Sequence, residues 1–435
     1  MAKKLWDKGI KTDEFIERFT VGRDREMDLK LAEYDVKGTI AHITMLESVG
    51  LLEADELQIL TKELNRILDE VILAGDFEIE DGVEDVHSQI ELMLTRELGD
   101  VGKKVHSGRS RNDQVLVDLK LFLKYELLEI VNLTKNLFDV LIEQSDSNKH
   151  LLLPGYTHTQ AAMPSSFGLW FGAYAESLVD DLIIMQAAYK IVNQNPLGSA
   201  AGYGSSFPLD RQKTTDLLGF DSMNVNVVYA QMGRGKAEQM VSYAIATLAA
   251  TLNKFAADVC LYNSQNFAFI KLPDELTTGS SIMPHKKNPD VFELIRAKTN
   301  VHKALPATIS SVTGNLTSGY HRDFQILKET LFPALDDIKE LLQITAYAAE
   351  RIEPADEILK DPKYKLVFSV ERVNELVLEG IPFREAYVQV AKEIADGSFS
   401  PPTELKHTHE GSIGNPGTDL IKNKMEGVLN QFEKD

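Results

Sequence analysis

The chain has 435 residues, 43% of them hydrophobic and 26% charged, and its formal net charge at pH 7 is −20. This acidic balance argues against non-specific binding to nucleic acid or to an anionic membrane, since both require a basic face. The sequence has no apolar run near about 18 residues and no charged-then-apolar leader, so we expect a soluble, cytoplasmic protein. Its single cysteine, Cys260, excludes an internal disulfide, and the apolar pattern around it predicts a buried, inert thiol.

The N-terminal part of the chain has helical periodicity. Residues Asp28 to Leu52 favour a helix, and Asp55 to Ala74 carry leucine, isoleucine and valine at three- and four-residue spacing before Gly75. A shorter helix follows His87 and ends at Gly99.

A polar stretch from Val105 to Gln114 stands at the start of the longest helical pattern. Its hydroxyl, amide and guanidinium groups converge near the positive end of that helix, where they suit an anion. The alternative is an elaborate N-cap with solvated arginines.

Four long runs are poor in helix breakers. Arg109 to Leu153 contains neither glycine nor proline, which predicts a helix of about 35 residues and about 50 Å. Similar runs cover 166–193, 229–265 and 323–352, the last with Pro333 as an expected kink. Helices this long must bury wide apolar faces, so we expect a central bundle that other copies of the chain complete.

Two shorter stretches interrupt these helices. Pro154 to Gln160 reads as a turn whose His158 could transfer a proton near neutral pH, with a structural histidine as the commoner alternative. Asn195 to Ser206 is rich in glycine and serine, but it follows a helix rather than a strand. A dinucleotide-binding or P-loop interpretation therefore fails, and we expect a tight connector.

The stretch from Thr278 to Leu294 reads as a loop that runs into a helix. Asn288 suits the N-cap position and Pro289 the first helical position. The loop brings Gly279, two adjacent serines and two lysines beside the free N–H groups of that helix. We therefore expect an anion-binding site, the alternative being an ordinary surface loop.

The last third of the chain changes character after Arg351. Before that point Gln325 and Lys328 share a helix face. After it, shorter helices alternate with proline and glycine. With little or no sheet expected, we predict an N-terminal helical domain at 1–109, a central helical bundle at 110–352 and a small C-terminal helical domain at 353–435.

Several of these strings are similar to those of a known family. Residues 279–293, with Gly-Ser-Ser-Ile-Met-Pro-His-Lys-Lys-Asn and a glutamate five positions later, resemble the signature of the fumarase/aspartase superfamily. The strings at 106–115, 154–160, 320–328 and 380–386 extend the resemblance to its argininosuccinate lyase branch. This resemblance implies an all-α, three-domain chain whose long-helix bundle is completed in a homotetramer with shared active sites.

The resemblance also implies a reaction without metal or cofactor. A base removes a proton from the carbon next to a carboxylate of argininosuccinate, and expulsion of the nitrogen then gives arginine and fumarate. A carbanion at that carbon places a second negative charge on the carboxylate, so a strong base and preorganised donors are needed.

By the same resemblance, residue types and positions suggest roles. Ser280 is the expected base, and Lys286 and Asn288 are expected to hold the carboxylate. His158 is expected to act as an acid or to orient the substrate, with Thr157 beside it and Glu293 paired with it across the site. The expected substrate-binding residues are Ser110, Arg111 and Asn112 for the succinyl carboxylates, Arg234 for a carboxylate, and His87, Tyr320, Gln325 and Lys328 along the pocket.

The sequence departs from the family pattern at several places. Asp24 stands where a substrate-binding serine is common, and His285 where glutamine is usual. Ile326 and Leu327 replace two acidic residues, Met232 to Gly235 replaces a more acidic pattern, and Leu5 to Gly9 replaces Trp-Gly-Gly-Arg-Phe. These departures affect the expected substrate detail more than the reaction type.

Three alternatives remain. Adenylosuccinate lyase also releases fumarate, but it should carry Gly-Arg-Thr-His-Gly-Gln rather than the string at 154–160. A non-catalytic, crystallin-like relative would keep the fold without turnover. A metal enzyme would have to use His407 and His409, which lack a third or fourth fixed ligand.

Overall fold

The computed structural model describes residues 14–402 and 404–432. The unusual string at 5–9 lies outside the described residues. The described residues form sixteen α-helices: α1 Glu14–Val21, α2 Asp24–Asp28, α3 Ala32–Ser48, α4 Ala54–Arg66, α5 Val86–Leu98, α6 Arg111–Ser147, α7 Phe167–Val192, α8 Arg211–Leu217, α9 Val227–Met232, α10 Lys236–Tyr262, α11 Asp290–Lys303, α12 Leu305–Thr313, α13 Gln325–Glu350, α14 Ser369–Leu378, α15 Phe383–Ala395 and α16 Thr418–Leu429. The predicted all-α class is confirmed.

The core is a bundle of the long helices. α6, 37 residues long, packs against α7 and α13, and α10 packs against α7 and α11. Leucine, isoleucine and phenylalanine side chains on these helices are almost completely buried. Among the aromatic side chains of the core, the Trp170 and Phe255 rings stack with centroids 5.5 Å apart.

The predicted helix over 229–265 is wrong in one respect, since it is two helices. α9 ends at Met232 and α10 begins at Lys236. Gly235 between them has a φ of 81°, and a Cβ there would lie 2.6 Å from the Thr313 side chain. Glycine is therefore required at this break both for its conformation and for lack of space.

One helix of the described chain, α10, is long and apolar enough to cross a membrane by length and composition. Its Val241, Ile245 and Leu248 are buried in the bundle core. Cys260, near its end, is half-buried rather than fully buried as expected, and burial raises the pKa of its thiol.

Within residues 14–402 and 404–432, strand structure is limited to three two-stranded sheets. The strands are β1 Leu152–Thr157, β2 Gln160–Ser166, β3 Gln194–Asn195, β4 Ser222–Met223, β5 Ile270–Lys271 and β6 Glu353–Pro354. β1 and β2 form an antiparallel hairpin. The stretch from Pro154 to Gln160, predicted to be a simple turn, therefore forms the end of this hairpin. Its two turn residues, His158 and Thr159, both have positive φ, 51° and 63°.

The loop before α11 is closed differently from the prediction. α11 begins at Asp290 with Pro289 at the N-cap position, so the placement of Asn288 as the cap is wrong. Asn288 instead pairs with Thr278 through two backbone hydrogen bonds of 2.8 and 3.1 Å. These bonds join the two ends of the loop, and its residues 281–287 are exposed.

The C-terminal region has a small core of its own. Buried side chains of α14 and α15 pack with Phe399 in a cluster separate from the bundle. α16 packs against α7, and its Thr418 donates a 2.7 Å hydrogen bond to Asp146 of α6. The three-domain division stays a proposal, in which this last helix returns to the central bundle.

Candidate active site

A cavity of about 650 Å³ opens between α2, α5 and the starts of α6 and α13. Seven of the nine residues predicted to bind substrate line it, and the exceptions are His87 and Asn288. They are Ser110, Arg111, Asn112, Arg234, Tyr320, Gln325 and Lys328. The fold thus brings together residues that lie more than two hundred positions apart in the sequence.

The first turn of α6 gives the cavity a positive end. Ser110 is the N-cap, and its side chain accepts a hydrogen bond from Asn112 N. Arg111 is held beside it by Gln114 at 2.8 Å and by the Ser88 hydroxyl at 3.1 Å. The free N–H groups of this long helix and the Asn112 amide are suited to an anionic group.

Carboxylates already surround the Arg111 guanidinium. Asp85 lies 3.4 Å and Glu91 3.8 Å from it, and both line the cavity. Burial raises the pKa of Glu91, whereas in Asp85 the charges of His87 and Arg111 outweigh burial and lower the pKa. An incoming anion would therefore compete with these two carboxylates for Arg111.

Asp113 connects the start of α6 to the glycine-rich connector. Its Oδ1 accepts a 2.8 Å hydrogen bond from Ser110 N, and its Oδ2 accepts bonds from Gly198 N and Ala200 N at 3.0 and 2.8 Å. The carboxylate is completely buried. The connector therefore supports the first turn of α6 structurally.

His87 does not line the cavity, contrary to expectation. Its side chain is fully buried, with Nδ1 2.9 Å from Asp35 Oδ1 and 3.2 Å from Asp118 Oδ2. It lies in the first turn of α5 behind the cavity wall, where the two carboxylates compensate the loss of water. Arg109, which the alternative interpretation of this stretch treated as solvated, is buried as well and donates to Thr39 at 3.0 Å.

The charges in this buried cluster are strongly coupled. Burial disfavours ionisation of Asp35, but His87 and Arg109 outweigh it and hold its pKa at about 2. Burial and the neighbouring Asp35 raise the pKa of Asp118 well above its usual value. In the described part of the chain, Asp35, His87 and Asp118 form the one group of three or more histidine, cysteine or carboxylate side chains whose possible ligand atoms all lie within 4.8 Å of one another.

The alternative metal ligands in the tail are engaged elsewhere. His407 lies 2.6 Å from the Ser412 hydroxyl and 3.2 Å from Glu371. His409 stacks on the His407 ring, with centroids 6.2 Å apart. These contacts fasten the tail to α14.

The opposite side of the cavity holds two further ion-paired cations. Lys328 Nζ lies 2.5 Å from Asp24 Oδ1 and 2.5 Å from Asp28 Oδ1. Arg234 pairs with Glu238 at 3.1 Å, and both side chains are buried. Although burial opposes its charge, the two aspartates raise the pKa of Lys328 above its ordinary value.

Gln325 and Tyr320 lie near these cations. The Gln325 amide donates to the carbonyls of Thr20 and Val21 at 3.2 and 2.8 Å, which fixes the end of α1 against α13. Tyr320 is 42% exposed, so its ring is accessible from the cavity.

The five residues predicted to be catalytic, and the predicted substrate-binding residue Asn288, lie elsewhere on the chain. Thr157 and His158 are exposed at the hairpin tip, and Glu293 is exposed on α11, 3.9 Å from Arg296. Ser280, Lys286 and Asn288 lie on the loop before α11. None of these six lines the cavity, and the predicted pairing of Glu293 with His158 is not made within the described chain.

The hairpin tip and the loop before α11 both have local features that are consistent with a functional role. A two-residue turn with positive φ at both positions favours Asn-Gly, yet here it carries His158 and Thr159. Strained positions of this kind concentrate at functional sites. In the loop, Lys287 pairs with Asp274, whereas Lys286 has no carboxylate partner among the described residues.

Sequence reasoning missed several residues of the cavity. His106 lines it, and burial together with Arg109 and Arg111 lowers the pKa of this histidine to about 4. Asp28, Asp85 and Glu91 line it without belonging to any recognised string. For Asp85 the sequence offered one signal, its position as the N-cap of α5, where it accepts a 2.7 Å hydrogen bond from Ser88 N.

Comparison with known proteins adds independent information. Residues 7–301 match the model of a protein family described as "Lyase". An argininosuccinate lyase of Parabacteroides distasonis is 62% identical over 432 residues, 99% of this chain and 97% of the relative. An argininosuccinate lyase of Thermotoga neapolitana is 41% identical over 396 residues, 90% of this chain and 98% of the relative.

A solved structure supports the fold. EDDS lyase in complex with formate has a TM-score of 0.76 to this chain and covers 98% of it, with 91% of that chain covered. Its sequence identity is 22%, so the likeness concerns the fold alone.

Proposed function

This chain belongs to the argininosuccinate lyase family of the fumarase/aspartase superfamily, and from that premise we propose that it cleaves argininosuccinate to arginine and fumarate. The observation that carries the proposal is 62% identity to an argininosuccinate lyase over nearly the whole chain. The reaction serves arginine biosynthesis.

The chemical step begins at the loop before α11. In its deprotonated form Ser280 takes the proton from the carbon next to a carboxylate of the succinyl group. Lys286 and Asn288 bind that carboxylate while it acquires a second negative charge. Among the described residues Lys286 has no carboxylate partner, which supports this role because its ammonium group can meet an anion.

The second step breaks the carbon–nitrogen bond. The electron pair left on carbon forms the double bond of fumarate, and the departing nitrogen of arginine takes up a proton. His158 supplies that proton or orients the nitrogen, and Glu293 pairs with the imidazole. His158 at an exposed hairpin tip can enter a site on another subunit, which supports this assignment.

The cavity described above holds the rest of the substrate. Ser110, Arg111 and Asn112 bind the carboxylates of the succinyl part at the positive end of α6. Tyr320, Gln325, Lys328 and Arg234 lie along the other side. His87 acts from behind the wall, through the position of α5.

A shared site requires an oligomer, and we propose a homotetramer. Bundle helices of one chain leave large apolar side chains exposed, among them Tyr243 and Leu261 on α10 and Leu294 and Val301 on α11. Burying such faces against other copies would be favourable. The same contacts would bring the hairpin tip and the loop of different subunits to one cavity.

We also propose a ligand class and a cellular location for the enzyme. The partner of the site is a small anionic molecule, and no metal or cofactor, nucleic acid or membrane takes part. We place the enzyme in the cytoplasm.

A direct assay tests the function. The purified protein is given argininosuccinate, adenylosuccinate, malate or aspartate in parallel, and fumarate is followed by its ultraviolet absorbance. Fumarate from argininosuccinate alone supports the proposal. A response to adenylosuccinate alone assigns the chain to that activity, and no response to any substrate indicates a non-catalytic relative.

A further inference from the structure

We propose that Asp24 is a specificity-determining residue that makes one side of the cavity select a substrate with a free ammonium group. This inference rests on the proposed function and names the part of argininosuccinate that the Asp24 side recognises.

Lys328 has two carboxylate partners where one would neutralise it. Asp24 and Asp28 each place an Oδ1 atom 2.5 Å from its Nζ atom. The Lys328 and Asp28 side chains are 5% and 2% exposed, whereas that of Asp24 is 18% exposed. Asp24 is thus the member of this trio that is most accessible from the cavity.

The nearby arginine does not change this balance. Arg234 also lines the cavity, but Glu238 pairs with it at 3.1 Å and both side chains are buried. Among these five groups three carboxylates face two cations, and the Arg322–Glu84 ion pair nearby adds no net charge, which leaves one net negative charge. A second anion would meet repulsion here, while a cation would complete the balance.

The α6 side of the cavity offers anion donors that the Asp24 side lacks, although Asp85 and Glu91 lie 3.4 and 3.8 Å from Arg111 there. The N-terminal turn of α6, with Ser110 and Asn112, offers N–H donors and a positive helix end. Argininosuccinate has two carboxylates on its succinyl part, and its amino-acid part carries an ammonium group beside a third carboxylate. With the succinyl part at α6, the amino-acid part lies at the Asp24 side, where the ammonium group can pair with Asp24.

The test compares two substrates at pH 8, argininosuccinate and its Nα-acetyl derivative, which lacks the ammonium charge. Fumarate release gives kcat and KM for the wild type and for Asp24→Ser and Asp24→Asn. We expect the wild type to prefer the free amine. Both variants should raise KM for argininosuccinate about tenfold, with little change in kcat, and should lose most of the preference.

A matched control is Asp81→Asn. Asp81 is fully exposed 3.9 Å from Arg25, so its variant removes the same charge outside the cavity. It should keep the wild-type KM and the wild-type preference. Thermal unfolding of each variant reports whether the fold is retained, and the isosteric asparagine serves where serine fails to fold.

The outcomes separate this inference from the function itself. A wild type that cleaves both substrates equally well overturns the inference, and so does a preference that stays unchanged in a folded Asp24 variant. A wild type that releases no fumarate from argininosuccinate refutes the proposed function instead.

Discussion

Asp113 Oδ2 accepts a 2.8 Å hydrogen bond from the backbone N–H of Ala200, which ties the glycine-rich connector to the first turn of α6. The same carboxylate accepts from Ser110 N and Gly198 N at 2.8 and 3.0 Å. One buried side chain thereby positions Ser110, the N-cap of α6, which lines the cavity.

Replacing Asp113 by asparagine should weaken both stability and substrate binding. An amide nitrogen cannot accept the N–H bonds that one carboxylate oxygen accepts now, so at least one buried donor loses its partner. We expect a loss of about 2 kcal/mol in the free energy of unfolding and a higher KM for argininosuccinate. Urea unfolding and fumarate release measure the two effects.

Asp139→Asn is the control for this prediction. Asp139 lies on the same helix but is exposed, where it pairs with Lys135. Its variant should stay within about 0.5 kcal/mol of the wild type. Equal stability losses in the two variants would contradict the role given to Asp113.

Ser280→Ala should remove turnover and leave the fold intact. The Ser280 hydroxyl accepts long contacts from Ile282 N and Met283 N, at 3.4 and 3.2 Å, so the loop depends little on it. A positioned base contributes about 10²–10⁴-fold to a rate, and we expect kcat to fall by that factor at least. Helical circular dichroism and the oligomer mass should not change.

The neighbouring hydroxyl provides the comparison. Ser281 is exposed on the same loop, and Ser281→Ala should retain far more activity than Ser280→Ala. If Ser280→Ala keeps most of its turnover, Ser280 is not the base.

Mixed oligomers test whether sites are shared between subunits. Ser280→Ala and His158→Asn proteins, each inactive alone, are dissociated together and reassembled. If the loop of one subunit meets the hairpin tip of another, some sites receive both wild-type elements and activity partly returns. Fumarate release before and after reassembly measures the recovery.

The control mixture combines two variants that are both altered in the loop before α11. Ser280→Ala mixed with Lys286→Ala leaves every site with an altered loop, so no activity should return. Recovery in this second mixture, or none in the first, would contradict a site built from the loop and the hairpin of different subunits.

The long helices could be predicted from sequence because their signal is local. A run free of glycine and proline with apolar residues at helical spacing was predicted over 109–153, and α6 covers Arg111–Ser147. The hairpin was missed since its turn residues, His158 and Thr159, are not the glycine or asparagine that such a turn favours. The break at Gly235 was missed for a different reason, because it depends on Thr313, far along the chain.

The site residues show the same contrast between signals that are local in sequence and contacts that form only in the fold. Arg111 and Asn112 were found because they lie in one short string that the structure places at one helix start. The carboxylates of Asp28 and Glu238 were not found. Asp28 pairs with Lys328, which is distant in sequence, and Glu238 pairs with Arg234 in a buried ion pair. Asp24 was noticed as a departure, but its pairing with Lys328 is a tertiary contact that sequence spacing does not reveal.

His42 should make the fold sensitive to acid. It is completely buried in α3, 2.8 Å from the Ser107 carbonyl, and burial together with Arg109 lowers its pKa to about 3. Between about pH 3 and 6.5 the folded chain keeps this imidazole neutral while the unfolded chain protonates it, so the unfolded state binds more protons. Stability from this group is therefore present above about pH 6.5 and is lost as the pH falls, by about 2 kcal/mol at pH 5.

His42→Gln removes this titration while keeping an amide that can donate to the Ser107 carbonyl. We expect the variant to be less stable than the wild type at pH 7, because packing is altered, and to lose less stability between pH 7 and pH 5. His150→Gln, a change at an exposed histidine, should keep the wild-type slope. Urea unfolding at several pH values measures all three proteins, and parallel curves for wild type and His42→Gln would show that His42 does not carry the acid sensitivity.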